Sequence, residues 1–371
     1  MKYPIGIQSF EEIRKNGCVY IDKTALIHQL IDNGKYYFLS RPRRFGKSLL
    51  ISTLEAYFLG KKELFKGLAM EQLETEWITY PVLRFDFKPL DYTREGILLS
   101  ELDRMFSKWE KLYHCKRQDT PSLRLGEIIE TAHKQTGKQV VILVDDYDRP
   151  LLQSLNDTER LTRNWDMLKA MYCNLKSKDA HIHFAILTGK IQYPYLSIFG
   201  DFNNLYNIST HWRYHDLCGF TNEEVRSNFL LAIQALADSH GLSIEACIEK
   251  MRDFCAGYHF NERSSGLYNP SSVLDVLSLQ TFHTFRLNEE DITFIKAAND
   301  ECTKYNNDIE NVEVMEETIE SIVNHRKSAI STLYRLGYLT IKDYDEEFGM
   351  FTLGFPNQQM KETYKRLLGV E

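Results

Sequence analysis

Three observations in this 371-residue chain predict an α/β fold, a parallel sheet flanked by helices. An apolar run, Tyr36-Tyr37-Phe38-Leu39, leads into Arg41-Pro42-Arg43-Arg44-Phe45-Gly46-Lys47-Ser48-Leu49 and then into an apolar helix-like segment. A second run rich in β-branched residues, Gln139-Val140-Val141-Ile142-Leu143-Val144, ends in Asp145-Asp146-Tyr147-Asp148; such runs are the mark of buried parallel strands. Strand-like and helical stretches then alternate, the pattern of right-handed crossovers. Together these specify the sheet of a P-loop NTPase, to be followed by a helical lid and a winged-helix-like C-terminal module.

The first strand and its loop occupy about Lys35 to Ser48, with a helix on to about Leu59. Backbone N–H groups at that helix start would face an anion, which the helix dipole also favours. Lys47 would reach the terminal phosphates and the Ser48 hydroxyl would hold Mg²⁺. The usual loop reads G-x-x-x-x-G-K-[ST], and Arg41 stands at its first glycine. Read alone, the arginines here are also compatible with a solvated surface cluster.

Asp145 closes the second apolar run, where P-loop ATPases hold the magnesium ion, and Asp146 follows where the water-orienting base stands. The plainer alternative is an acidic turn capping a strand.

Pro81 to Phe87 reads as a further strand, and helices are expected at about Thr93–Tyr113 and Ser122–Thr136. After the Asp145 strand comes a helix over Asn156–Ser177, then a buried strand, His181-Ile182-His183-Phe184-Ala185-Ile186-Leu187. Phe202-Asn203-Asn204-Leu205 and Ile208-Ser209-Thr210 read as a loop and a strand. Thr221-Asn222-Glu223-Glu224 has the form of a capping box. The helical pattern it opens runs to about Leu279, broken between Gly257 and Pro270. A helix over Val312–Leu336 then precedes two strands, Tyr338-Leu339-Thr340-Ile341 and Met350-Phe351-Thr352-Leu353. Helix plus hairpin resembles a winged helix, but Asp343, Asp345, Glu346 and Glu347 make the wing acidic, which suits a protein contact better than DNA. The division expected is residues 1–220 for the core and 221–371 for lid and module.

Composition excludes several classes. With 43% hydrophobic and 26% charged residues the chain is an ordinary globular one. No apolar run approaches a membrane span, and the N-terminus lacks a secretory core, so the expected location is cytoplasmic. Seven scattered cysteines form no C-x-x-C pair, and Cys255 with His259 lacks a second pair to complete a zinc site. A net charge of −7 argues against a dedicated nucleic-acid binder.

Tyr20-Ile21-Asp22-Lys23-Thr24, the R-P-R-R-F-G-K-S block from Arg41, Leu64-Phe65-Lys66-Gly67-Leu68 and Val144-Asp145-Asp146-Tyr147-Asp148-Arg149-Pro150 resemble the AAA-ATPase-like family of bacterial proteins. So do Gly257-Tyr258-His259-Phe260, Tyr268-Asn269-Pro270 and Gly354-Phe355-Pro356-Asn357, so the resemblance spans almost the whole chain. It implies that arginine is the customary residue at position 41. It also implies ATP with Mg²⁺ as ligands, and a phosphate sensor after the His181–Leu187 strand, with Thr188 first and Lys190 second. A strand-to-loop turn explains Thr188-Gly189 equally well. The adenine pocket would come from the segment near Ile7 to Asp22, and no [NT]-K-x-D motif points to guanine instead.

Two departures qualify the expected activity. The family has Asp-Glu-Tyr-Asp after the strand, so Asp146 is one methylene short, and a misplacement of about an ångström costs on the order of a hundredfold in rate. The resemblance also implies that many members continue into a PD-(D/E)XK nuclease domain, and no such domain is expected within these 371 residues. The strand-like Asp86-Phe87-Lys88 has the D-x-K form of such a site, but a core strand explains it more simply. The expected activity is therefore a Mg²⁺-dependent ATPase of weak turnover that drives or gates a conformational change in an unknown protein partner. The alternatives are a nucleotide-gated switch with little hydrolysis and an ATP-dependent nucleic-acid-processing protein.

Overall fold

The Val140–Asp145 strand, buried throughout, lies inside a parallel sheet. The structure, a computed structural model, describes residues 2–154, 157–190, 205–261, 264–283, 309–315 and 329–369, with residues 292, 295, 296, 299 and 300. Among these, the sheet comprises β1 (Tyr36–Ser40), β2 (Val82–Asp86), β3 (Val140–Asp145), β4 (Ile182–Gly189) and β5 (Tyr206–Asn207), in the order β2-β3-β4-β1-β5. Asp86 pairs with Asp145, Leu39 with Thr188 and Ser40 with Gly189. The C-terminal tips of four strands therefore finish along one edge, where open α/β sheets bind ligands.

Alternation along the strands fills two layers. Ile142 and Val144 join Leu102, Phe106, Ile128 and Leu168 from the helices Ile97–Leu112, Pro121–Thr136 and Thr158–Ser177. Val141 and Leu143 join Leu50, Ile51 and Leu54 of the Lys47–Phe58 helix, with Phe10, Ile27 and Leu30 from the helices Phe10–Lys15 and Thr24–Asn33. Beyond the core the helices Asn222–His240, Ile244–Cys255 and Pro270–Leu279 enclose their own apolar cluster. The predicted capping box is present: Glu224 N–H donates to Thr221 Oγ1 (3.2 Å) and Thr221 N–H to Glu224 Oε2 (2.8 Å).

The C-terminal module is an antiparallel sheet of β6 (Val312–Met315), β7 (Thr340–Asp345) and β8 (Met350–Gly354), in the order β6-β8-β7, with the helix Ala329–Leu336 ahead of its hairpin. This corrects the helix expected from Val312. Val312 and Val314 are buried while Glu313 and Met315 are exposed, a period of two that four residues are too few to announce. The remainder of that expected helix, residues 316–328, lies outside the described residues.

Ile208–Thr210 is not a strand. Tyr206–Asn207 pairs with β1, and Ser209 Oγ then accepts the Ser40 N–H (2.8 Å), which turns the chain out of the ladder. Phe202–Asn204 lies outside the described residues. Two helices begin later than expected, at Ile97 after the left-handed Gly96 and at Thr158 after the Asp157 cap. A further helix, Gln358–Leu368, starts from an Asn357 cap, and the Asn357 amide donates to Ala256 O (2.6 Å), tying the C-terminal helix to the lid.

Candidate functional site

Between β1 and the Lys47–Phe58 helix the chain makes a loop whose last residue, Gly46, has φ 97°. A Cβ at Gly46 would meet nothing within 4 Å, so backbone conformation rather than space calls for glycine there. Arg44, with φ 65°, holds a second left-handed turn in the same loop. The first N–H groups of the helix have no intrahelical partner, and Gly46, Lys47, Ser48 and Leu49 all border the cavity above the loop.

Arg41, at the customary first glycine, does not line the cavity above this loop. It is buried, and its guanidinium donates to Ser40 O (2.8 Å), Ser209 O (2.7 Å), His215 O (3.1 Å) and Tyr214 O (3.3 Å). Burial lowers its pKa to about 10, still charged at neutral pH. Arg41 thus fastens the loop from behind. Pro42 also stands outside the cavity lining, under Gly337 of the C-terminal module. Lys47 lies back over the loop, its Nζ donating to Arg41 O (2.8 Å) and Pro42 O (3.0 Å).

The structure brings Ser48, Asp145 and Thr188 together. Ser48 Oγ donates to Asp145 Oδ1 at 3.4 Å, and Thr188 Oγ1 donates to the same oxygen at 3.2 Å. Asp145 is fully buried, and burial raises its pKa against the opposing pull of the Lys88 ammonium. That ammonium stands 2.5 Å from Asp145 Oδ2 and contacts Ser48 Oγ as well. Asp146 borders the cavity with φ 53°, a left-handed conformation that aspartate tolerates better than most residues.

The cavity over the loop has a volume of about 630 Å³. Arg43, Arg44, Phe45, Gly46, Lys47, Ser48 and Leu49 all line it, as do Asp146 and Lys190. Burial and Arg43 lower the pKa of Lys190, whose N–H donates to Asp148 Oδ2 (2.8 Å). Its apolar wall comes from Ile7, Tyr20 and Ile21 of the N-terminal segment, with Leu217 and Leu274 from beyond β5. Phe45 packs edge-on to Tyr258 (4.8 Å between centroids) and Phe260 (5.3 Å), which joins the loop to the segment between lid helices.

Sequence reasoning missed two cations. Lys88 follows β2, and the parallel pairing of Asp86 with Asp145 delivers it to the site; the D-x-K spelling alone gave no such signal. Arg149 lines the cavity, and its Nε is buried with no hydrogen-bond partner among the described residues. By contrast, Cys255 is an inert buried thiol donating to Met251 O (3.0 Å), while His259 N–H donates to Thr340 Oγ1 (2.8 Å). No described helix is long and apolar enough to cross a membrane.

Comparison with known proteins agrees with this geometry. A family model described as "Predicted AAA-ATPase" matches residues 4–199. The chain is also similar to an uncharacterized protein in the vnfD 5' region of Azotobacter chroococcum mcd 1. The two are 31% identical over 373 residues, which span 99% of this chain and 70% of that protein.

Proposed function

This chain belongs to the predicted AAA-ATPase family, and from that premise we propose that it binds ATP in the cavity above Gly46 and hydrolyses it slowly. One observation carries the reading. The open mouth of the Lys47–Phe58 helix and the carboxylate of Asp145 meet at one sheet edge, with Ser48 and Asp145 oxygens 3.4 Å apart.

In this reading the helix-start N–H groups hold the phosphates, and Lys47 exchanges the Arg41 and Pro42 carbonyls for phosphate oxygens. Arg149 offers its unpartnered Nε to the same anion. The base lies against Ile7, Tyr20 and Ile21, with adenine preferred over guanine. Ser48 and Asp145 form an oxygen pair suited to Mg²⁺, and a cation, the Lys88 ammonium, already rests against both. When bound, that metal neutralises charge on the transferred phosphoryl group. Thr188 orients Asp145 through its hydroxyl, and Asp146 holds the attacking water, poorly, because its carboxylate is short.

The loop touches lid and module through Phe45, Arg41 and Pro42, so nucleotide occupancy would be felt beyond residue 220. In this reading that contact would carry nucleotide occupancy to an unknown protein partner. Among the described residues Cys18, Cys218, Cys247 and Cys255 are buried thiols, which suits a reducing cytoplasm. Calorimetric titration of ATP into wild type and Lys47→Ala tests the proposal: wild type should bind and the variant should lose most of its affinity. Equal affinity in both would overturn the assignment of the loop.

A further inference from the structure

The metal position between Ser48 and Asp145 is bordered by a lysine. Lys88 Nζ lies 2.5 Å from Asp145 Oδ2 and against Ser48 Oγ, with Gln8 Oε1 as a third acceptor at 3.3 Å. Its placement is built into the sheet. Asp86 pairs with Asp145 across β2 and β3, Phe87 N–H donates to Asp145 O (3.3 Å), and Asp86 Oδ1 accepts the Lys88 N–H (3.0 Å). The backbone leading into the residue is thus held at two successive N–H groups, and the Lys88 side chain meets the carboxylate.

Magnesium binds oxygens at about 2.1 Å in near-octahedral geometry. An ammonium touching the same two oxygens takes that space and repels a divalent charge, so the two cations exclude each other. Lys88 nevertheless has somewhere to go. Its stem is flexible, a fifth of its side chain is exposed and it lines the nucleotide cavity, so it can swing off the two oxygens toward open space while keeping the Gln8 acceptor on the N-terminal wall.

We propose that Lys88 is a resident counter-cation of this site, which lets nucleotide bind without divalent metal and obliges a metal to compete with the lysine for Ser48 and Asp145. The proposal rests on the nucleotide-binding reading and sharpens it. Lys88 and Lys47 supply the positive charge that a triphosphate needs, and Lys88 sets how much metal the site demands. It also gives a second physical reason for slow turnover, because metal-assisted hydrolysis waits on departure of the lysine.

The test uses the full chain as wild type, Lys88→Met and Lys88→Arg. Met keeps most of the stem's apolar volume without charge, and Arg keeps charge on a longer stem. ATP is titrated calorimetrically in EDTA and in excess Mg²⁺. Mn²⁺ alone is titrated by electron paramagnetic resonance, with no nucleotide present. Wild-type ATP affinity should be nearly the same in both buffers. Lys88→Met should lose about tenfold or more in EDTA, recover it with Mg²⁺, and bind Mn²⁺ alone about tenfold more tightly than wild type. Lys88→Arg should keep wild-type behaviour in the Mn²⁺ titration. Equal Mn²⁺ affinity in wild type and folded Lys88→Met overturns the proposal, as does an absolute Mg²⁺ requirement in wild type. Failure of wild type to bind ATP in either buffer would instead remove the nucleotide reading, and the Mn²⁺ comparison would still decide whether lysine and metal compete.

Discussion

The guanidinium of Arg41 lies 4.1 Å from the ring centroid of Phe260 while donating to four backbone carbonyls. The residue opening the loop before the Lys47–Phe58 helix is thereby bolted to the segment that joins two lid helices. Restoring the conventional glycine should harm this protein. Arg41→Gly leaves those buried and half-buried carbonyls without their donor, and we expect roughly 3 kcal/mol of lost stability by urea unfolding, with nucleotide affinity falling alongside. A variant as stable as wild type would contradict the structural role of the arginine.

Arg149 should behave in the opposite way. Its Nε has no hydrogen-bond partner among the described residues, so Arg149→Met should leave the midpoint of urea unfolding of the free protein within about 0.5 kcal/mol of wild type. ATP affinity should nevertheless fall about tenfold, the worth of one charged hydrogen bond. Unchanged affinity in calorimetry would take Arg149 out of the phosphate site.

Asp146 separates rate from stability. Asp146→Glu supplies the missing methylene, and phosphate release should rise. The left-handed backbone at φ 53° suits glutamate less well than aspartate, so thermal stability should drop by about 1 kcal/mol. A variant with unaltered phosphate release would remove the short carboxylate as the ground for proposing slow turnover.

Gly337 tests communication between the C-terminal module and the loop. A Cβ there would come 2.6 Å from Pro42 Cβ, at a φ of 86°. Gly337→Ala should cost about 2–4 kcal/mol from strain and overpacking together. It should also weaken ATP binding although residue 337 does not line the cavity. Destabilisation with intact affinity would show that the module supports the fold without touching nucleotide.

Much of this site is written in contiguous residues. The strand, the loop and the helix start from Tyr36 to Leu49 form one short segment, and the apolar run ending at Asp145 carries its own β signature. The lid's first helix declared itself through the local Thr221–Glu224 box. Where the signal was shorter or depended on a distant partner, it was illegible. Val312–Met315 becomes a strand only because β8 lies beside it, and Tyr206–Asn207 only because β1 does.

Local chemistry, then, was enough to declare a strand–loop–helix over Tyr36–Phe58, a carboxylate-tipped strand and an alternating α/β order, because each is encoded within a few neighbouring residues. Packing assigned Arg41 to the back of the loop, brought Lys88 against Asp145, and set Gly337 upon Pro42. Those placements join residues from about 50 to nearly 300 positions apart, and such pairings follow from sheet register and buried volume, which no short stretch of sequence contains.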